Sequence, residues 1–290
     1  MTTLRLLILV LVITLVTMAC GVTFNLPLTE IKTGPTKIED IAVPALSDQT
    51  QVAEVKLIFG AGELDISSGD DEALISGQAR YNVEDLKPQI NIRGEDIEIR
   101  TGDLELNAIP RFDGEFVNEW DLKFNNEMPM ELEISAGAYQ GRFDLGGLAI
   151  EELSISDGAA DVRVEFSEPN IGEMRTFRYE TGASKVRLND LANANFSNLV
   201  FKGGAGDYTL DFSGDLVRDA NVTIDAGLSS VALIVPDGVS ARVFVDRGLA
   251  NIDIQGDWRK SGDDYYLEGD GPVLTINVNI GAGNLDLRNR

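Results

Sequence analysis

Residues 177–188 read FRYETGASKVRL and contain the pattern that decides the fold. Hydrophobic and polar residues alternate before and after Gly182, which is typical of two half-buried β-strands. Small residues around this glycine allow a tight corner, often with positive φ, where a Cβ atom would clash. The sequence therefore predicts a unit made of a strand, a small-residue corner and a second strand.

The same unit recurs along the chain. With the corner glycine as marker, successive units are separated by 21, 24, 22, 23 and 21 residues. The markers are Gly137, Gly158, Gly182, Gly204, Gly227 and Gly248, and related glycines occur at Gly60, Gly62, Gly281 and Gly283. A period of this length is typical of a solenoid, in which equivalent strands of stacked coils are parallel neighbours. The predicted fold class is all-β: a stacked parallel β-solenoid with two strands per 21–24-residue coil.

A second architecture has the same alternation, namely an antiparallel sandwich of hairpins. The regular spacing favours the solenoid, which we expect to occupy residues 51–290. Two segments break the repeat: an irregular one at 101–130 and a hairpin insertion at 255–272, with its turn near Ser261 and Gly262. Both are expected to be caps, because the ends of a solenoid expose unpaired strand edges.

Residues 1–19 have the layout of a secretory signal peptide: Arg5, an apolar run at 6–16 and small residues before Cys20. This resembles a bacterial lipoprotein signal, and the resemblance implies cleavage after Ala19 and acylation of Cys20, the only cysteine of the chain. Residues 20–50, with three prolines, are expected to form a flexible tether. The protein would then be extracytoplasmic and lipid-anchored to a bacterial membrane. The alternative is an uncleaved N-terminal anchor with an incidental cysteine.

The chain is strongly acidic, with 24 Lys+Arg, 48 Asp+Glu and a formal net charge of −24. We expect no nucleic-acid partner, because nucleic-acid binding needs basic patches. Anionic headgroups would also repel the folded body, so that membrane contact should be confined to the anchor. Cations, cationic peptides and basic protein faces remain possible partners; alternatively, the dispersed carboxylates serve only solubility.

The sequence carries little that could perform chemistry. It has no histidine, which removes the usual general base and the commonest metal ligand. With Cys20 acylated, neither a thiol nucleophile nor a Cys/His zinc site can form. Glycosidases use two carboxyls, one with a pKa raised by burial, but the pairs Asp70-Asp71 and Asp263-Asp264 fall in glycine-flanked turns. We therefore predict no enzyme activity, no catalytic or metal-binding residue and no cofactor.

Several short motifs resemble the toast-rack superfamily, which includes the C-terminal domain of LiaF-like proteins and related adhesin domains. The motifs are the segment 118–138 with Trp120, the stretch 143–148, and the glycine-then-strand sequences at 60–65 and 281–286. The resemblance implies a stacked β architecture and an extracytoplasmic envelope role, such as a response to cell-wall-active antibiotics. It implies no catalytic residue.

The best candidate binding surface in the sequence is the predicted hairpin, because aromatic residues beside basic ones suit recognition. Its residues are Trp258, Arg259, Lys260, Tyr265 and Tyr266. The alternative is a hydrophobic cap over the last coil, and a second candidate is strand addition at an exposed edge. The sequence thus predicts a non-catalytic envelope interaction module with a protein or glycan partner. The alternatives are a polysaccharide-binding or polysaccharide-cleaving β-helix and a passive scaffold.

Overall fold

A computed structural model describes residues 28–69, 72–102, 104, 109–262 and 264–290. Cys20, Asp70, Asp71 and Asp263 lie outside these residues. The described residues form strands and two short 3₁₀ turns, Glu84–Leu86 and Leu191–Ala194, with no α-helix among them. The predicted all-β class is confirmed.

The strands fall into a shorter set and a longer set along the chain. The first strands are β1 (Leu28–Ile31), β2 (Lys37–Val43), β3 (Ala53–Gly69), β4 (Ile75–Tyr81), β5 (Gln89–Arg93), β6 (Asp96–Arg100), β7 (Ile109–Phe112) and β8 (Asn118–Asn125). The others are β9 (Pro129–Asp144), β10 (Ala149–Glu165), β11 (Met174–Asn189), β12 (Phe196–Asp211), β13 (Ala220–Val235), β14 (Ser240–Gln255), β15 (Arg259–Ser261), β16 (Asp264–Leu267) and β17 (Val273–Asn289).

The chain divides into two compact units. Among the described residues, the smaller unit comprises 28–33, 104 and 109–115, and in it β1 pairs in parallel with β7. There the backbone N–H and the hydroxyl of Thr33 both donate to Asp113 Oδ1, at 2.8 and 3.0 Å. The larger unit comprises residues 34–103 and 116–290 and contains all the other strands.

Long parallel strands stack side by side in the larger unit, in the order β3, β9, β10, β11, β12, β13. Equivalent positions of the repeat are in register: Val162 pairs with Val186, Val186 with Tyr208, and Tyr208 with Val231. Because these side chains point inward, they form continuous apolar ladders through the stack. The predicted stacked parallel solenoid is confirmed.

Each repeat contributes one continuous strand that bends at its corner, rather than two separate strands. In β11, a strand of 16 residues, buried positions recur every second residue before and after Gly182. Across the glycine, the buried residues are Thr181 and Ser184, three positions apart. Two consecutive residues therefore point outward at the corner, and both halves of the strand face the same core.

The marker glycines lie directly on one another in neighbouring strands. A Cβ atom at Gly182 would lie 2.5 Å from the carbonyl oxygen of Gly158, and one at Gly204 would lie 2.4 Å from that of Gly182. The same contact, at 2.3 to 3.1 Å, relates the other members of the column. In stacking order the column is Gly60, Gly137, Gly158, Gly182, Gly204, Gly227, Gly281 and Gly248. Positive φ is found instead at Gly62 (130°) and Gly283 (132°), so close approach of backbones is what demands glycine at the markers.

The prediction of a tether as far as residue 50 is wrong. Residues Lys37–Val43 form β2, in which Ile41 and Val43 are buried. This strand pairs antiparallel with β4, and β4 with β8, to close the end of the stack beside β3. The apolar alternation of β2 is short and lies between Pro35 and Pro44. The strand was therefore not recognised in the sequence. Strand β8, with buried Trp120, likewise lies inside the segment 101–130 that was expected to be irregular.

The last coils do not stack in the order of the chain. Strand β17 lies between β13 and β14 and is parallel to both, so that Gly281 contacts Gly227 and Gly248 contacts Gly281. The chain first forms the outermost strand β14 and the hairpin β15–β16, and then returns to form β17 between β13 and β14. The longer connection between the last two markers, 33 residues, makes this return possible.

We expect Gly182→Ala to destabilise the larger unit by about 1–3 kcal/mol, because the methyl group must push two strands apart at the corner. Gly172→Ala is the matched control, since a Cβ atom there meets nothing within 4 Å. The measurement is the free energy of unfolding in urea of residues 21–290, which retain every described side chain. Equal stabilities of the two variants would contradict the proposed role of the glycine column.

Candidate functional site

The predicted hairpin is present and covers one half of the outermost strand. Strand β15 pairs antiparallel with β16 around Gly262, whose φ is 66°. Strand β16 also pairs antiparallel with β14, from Ala241 to Phe244. The hairpin therefore closes the first half of β14, before its corner glycine.

The five predicted hairpin residues are divided between the core and the surface. Tyr265 is only 1% exposed and belongs to the core, and Trp258 packs against the core with a buried indole N–H. Arg259 is exposed and pairs with Glu268. Lys260 is also exposed, with Nζ 5.4 Å from the centre of the Tyr265 ring. Tyr266 is half-buried. Trp258 and Tyr265 thus cap the core, and the basic residues Arg259 and Lys260 are the accessible part of the hairpin.

A row of carboxylates crosses the outer face of the sheet formed by the first halves of the long strands. Asp96 of β6 is in register with Glu54 of β3, Glu54 with Glu131 of β9, and Glu131 with Glu152 of β10. Parallel neighbours lie about 4.8 Å apart, so these four residues form a continuous line of like charge. We call Asp96, Glu54, Glu131 and Glu152 the carboxylate row. The row is not recognisable in the sequence, because its members are up to 98 positions apart in the chain.

The carboxylate row lies in a groove of about 570 Å³. Asn91 and Arg93 on β5 line it together with the outward side chains of β6, β3, β9, β10 and β11. A second line of residues along the groove has mixed charge: Lys56 pairs with Glu133 at 2.8 Å and is in register with Glu98. We call this cavity the acidic groove. Its shape and charge suit a cationic side chain or peptide, because that would replace repulsion with attraction.

The two ends of the carboxylate row differ in electrostatics. At one end, Arg175 contacts Glu131, Glu151 and Glu152 at 2.6, 2.6 and 3.1 Å, and these carboxylates raise its pKa, Glu151 most of all. At the other end, repulsion from Asp96 is the largest cause of a raised pKa at Glu54, followed by burial, a side-chain hydrogen bond with Asp96, and the charges of Glu131 and Glu95. Asp96 has Arg93 of β5 as its cross-strand partner on the other side, so the uncompensated charge is centred on Glu54.

A buried polar cluster lies beneath the corners of β10 and β11. Asp157 accepts hydrogen bonds from the Tyr179 hydroxyl at 2.7 Å, from the Thr181 hydroxyl and from Ser184 Oγ at 3.3 Å. Ser184 Oγ in turn accepts the backbone N–H of Ala160 at 2.9 Å. Burial is the largest cause of a strongly raised pKa at Tyr179, so its hydroxyl stays protonated as a donor. These hydrogen bonds hold the corner together.

The carboxylate pairs considered for glycan cleavage stay largely untested. Asp70, Asp71 and Asp263 lie outside the described residues, and Asp264 is half-buried at the start of β16, with the Tyr266 hydroxyl 3.4 Å from its Oδ2. Within the described ranges, no three His, Cys, Asp or Glu residues converge to hold a metal ion. Across the same ranges, no helix has the length and apolar character to cross a membrane.

A family model and one solved structure agree with this architecture. The family model for the N-terminal domain of toast_rack (DUF2154) matches residues 32–174 and 174–234. A candidate cell adhesion protein from Clostridium sporogenes shares 19% identity and a TM-score of 0.52, over 88% of this chain and 100% of that one. A candidate adhesin from Parabacteroides distasonis shares 10% identity and a TM-score of 0.33, over 90% and 100%. The comparison with curated proteins found no match.

The family match begins at residue 32, close to the start of the sheet at β2 and ahead of the domain boundary expected from the sequence. It continues through the glycine column as far as β13. Since the family model covers more than half of the chain, this protein belongs to the toast-rack family.

Proposed function

We propose that this protein is a non-catalytic, lipid-anchored interaction module of a bacterial envelope, and that its acidic groove binds a cationic partner. The carboxylate row is the observation that carries the proposal. Outward positions on a sheet accept any polar residue, and like charges directly opposite each other on neighbouring strands destabilise it. The fold does not require Glu54 to lie between Asp96 and Glu131. A cation bound there would relieve the repulsion among these carboxylates.

The chemistry of the partner follows from the lining of the groove. The row supplies several carboxylates at the spacing of adjacent strands, and the cavity is open along the sheet. An extended basic segment or the basic face of a protein could place successive cations over successive strands. The mixed line beside the row, with Lys56 between Glu98 and Glu133, would give such a partner a preferred orientation.

The membrane anchor of the proposal rests on the signal layout before Cys20. An extracytoplasmic module needs to be retained at the envelope, and several acyl chains on one residue provide stable retention without a spanning helix. The acidic body would be repelled by anionic headgroups, which keeps the groove available to partners. An adhesin-like role is consistent with this arrangement, in which the fold supplies a rigid surface and the anchor supplies its location.

We expect Cys20→Ser in the full chain to abolish lipidation. In a bacterial host, the wild-type chain should incorporate labelled palmitate and enter the detergent phase on Triton X-114 partition. The variant should lose both properties, because serine cannot form the thioether. Gly21→Ala is the control, since it leaves the thiol in place. Palmitate incorporation into the Cys20→Ser chain would refute lipidation at this residue.

We expect Glu54→Gln combined with Asp96→Asn to weaken binding of a labelled octalysine peptide to residues 21–290 at least fivefold, measured by fluorescence anisotropy at about 0.05 M salt, where screening is weak. The matched control is Asp207→Asn with Asp237→Asn, which removes the same charge from exposed positions elsewhere and should change the Kd less than twofold. Equal weakening in both variants would mean that only net charge attracts the peptide. That result would favour the passive scaffold.

The same double variant should melt at a higher temperature than the wild type at pH 7, because it relieves repulsion in the folded state. The pKa of Glu54 is raised on folding, so the folded chain binds more protons than the unfolded one above the ordinary glutamate pKa of about 4.3. Between this ordinary pKa and the raised pKa of folded Glu54, the wild type should therefore gain stability relative to the variant as the pH falls. A stability difference between the two chains that does not change with pH would contradict the assignment.

A further inference from the structure

The second half of β14, Leu249–Gln255, forms an open edge of the stack. On one side it pairs with β17, from Leu249–Ala282 to Gln255–Arg288. On the other side, the hairpin strand β16 covers only Ala241–Phe244. Among the described residues, no strand pairs with this free side of Leu249–Gln255. We call this segment the open edge.

The apolar ladder of the core ends at the open edge, where its last residues are partly exposed to solvent. Ile252 and Ile254 are in register with Leu285 and Leu287 of β17, both of which are fully buried. Ile254 itself is 43% exposed. In the inner strands, each inward-facing residue has a neighbouring strand on both sides. Ile252 and Ile254 have a neighbouring strand on one side only. One further strand would complete the burial of both isoleucines.

Other edge strands of this protein carry features that discourage further pairing. The free strand β2 has Lys37, Glu39 and Asp40 within its first four residues. The free strand β5 follows Pro88 and ends at Arg93. Charges and prolines at edges are the usual means of preventing added strands. The open edge has Asp253 as its only charge and contains no proline, although the chain carries a net charge of −24.

We propose that the open edge pairs with the same edge of a second copy, antiparallel about a two-fold axis beside Ile252. Identical edges related by a two-fold axis must run antiparallel, and each residue pair then occurs twice. In this register Ile252 faces its own counterpart, Ala250 faces Ile254, and Asn251 faces Asp253. The inner face gains three apolar cross-strand pairs, and no like charges lie directly opposite each other.

The sequence of the open edge favours a second copy over a foreign peptide. The apolar positions Ala250, Ile252 and Ile254 are placed symmetrically around the axis, and Asn251 can donate to Asp253 of the other copy. Gly248 and Gly256 flank the segment on both sides, which leaves room for a second backbone at each end of the pairing. A register shifted by two residues would place either Asp253 opposite Asp253 or Ile254 opposite Gly248. The first pairs two like charges and the second loses an apolar contact, so both registers are less favourable.

The self-association is weak, because one strand pair buries far less than the roughly 1,200 Å² typical of stable complexes. It strengthens with salt, since two acidic bodies repel each other and screening lowers that repulsion. Sedimentation of residues 21–290 should show a monomer–dimer equilibrium that moves toward dimer at higher salt. Ile254→Lys should raise the dimer Kd at least tenfold, whereas Ile38→Lys, at an isoleucine that is 60% exposed on β2, should leave it unchanged.

Disulfide mapping tests the register directly. Residues 21–290 contain no cysteine, so Ile252→Cys introduces one thiol, which faces its own copy at a Cβ separation of about 4.5–5.5 Å. We expect it to form a covalent dimer on mild oxidation. Leu249→Cys is the control: it is more accessible, since Leu249 is 86% exposed, but it faces Gln255 and should stay monomeric.

A covalent dimer at Leu249→Cys as fast as at Ile252→Cys would indicate random collision and overturn the proposal. So would a chain that remains monomeric at high protein concentration and high salt. The groove variant with Glu54→Gln and Asp96→Asn should dimerise as the wild type does, because neither residue lies on β14. Failure of the dimer and failure of peptide binding can therefore be distinguished.

Discussion

The structure depends on backbone contact at the glycine column. A carbonyl oxygen of one corner lies where the Cβ atom of the next corner would be, for example Gly158 against Gly182 at 2.5 Å. This contact allows the bent strands to keep the spacing of a parallel sheet through the corner. Because it does, both halves of every strand stay in register and their inward side chains form one core. The apolar ladders follow from the corner, since a side chain there would separate the strands along both halves.

A stack built in this way has a terminal strand at each end. The outer edges of both halves of that strand need another strand beside them. At the first end, β8, β4 and β2 close the second half beside β3, while β6 and β5 lie beside its first half. At the other end, the hairpin β15–β16 covers the first half of β14, with Tyr265 in the core. The second half of β14 receives no such cover among the described strands. Exposure at Ile254 is thus a consequence of bending every strand, because one cap can cover only one half.

The sequence predicted the parts of the fold that repeat locally. The alternation around Gly182 and the spacing of the markers were sufficient for strands, corners and parallel stacking. The exchange of β17 and β14 could not be predicted, because both strands carry the same pattern and either order satisfies it. Strand β2 was missed because two buried residues between prolines give too short a signal. The roles of Trp258 and Tyr265 were left open, since an aromatic residue in a hairpin looks the same in sequence whether it faces the core or solvent.

The carboxylate row was missed for a physical reason that also bears on function. In a parallel solenoid, lateral neighbours come from different coils, so a line of charge across the sheet appears in the sequence as single, unremarked acidic residues. Other positions show that the sheet can avoid such a line: Lys56 lies between Glu98 and Glu133, and Arg187 in the second half of β11 pairs with Asp161 at 3.0 Å. At Glu54 this compensation is absent, and the charges that act on it come from carboxylates. Stability alone would favour a cation at one of these positions, and this is the reason we propose a partner that brings the cation with it.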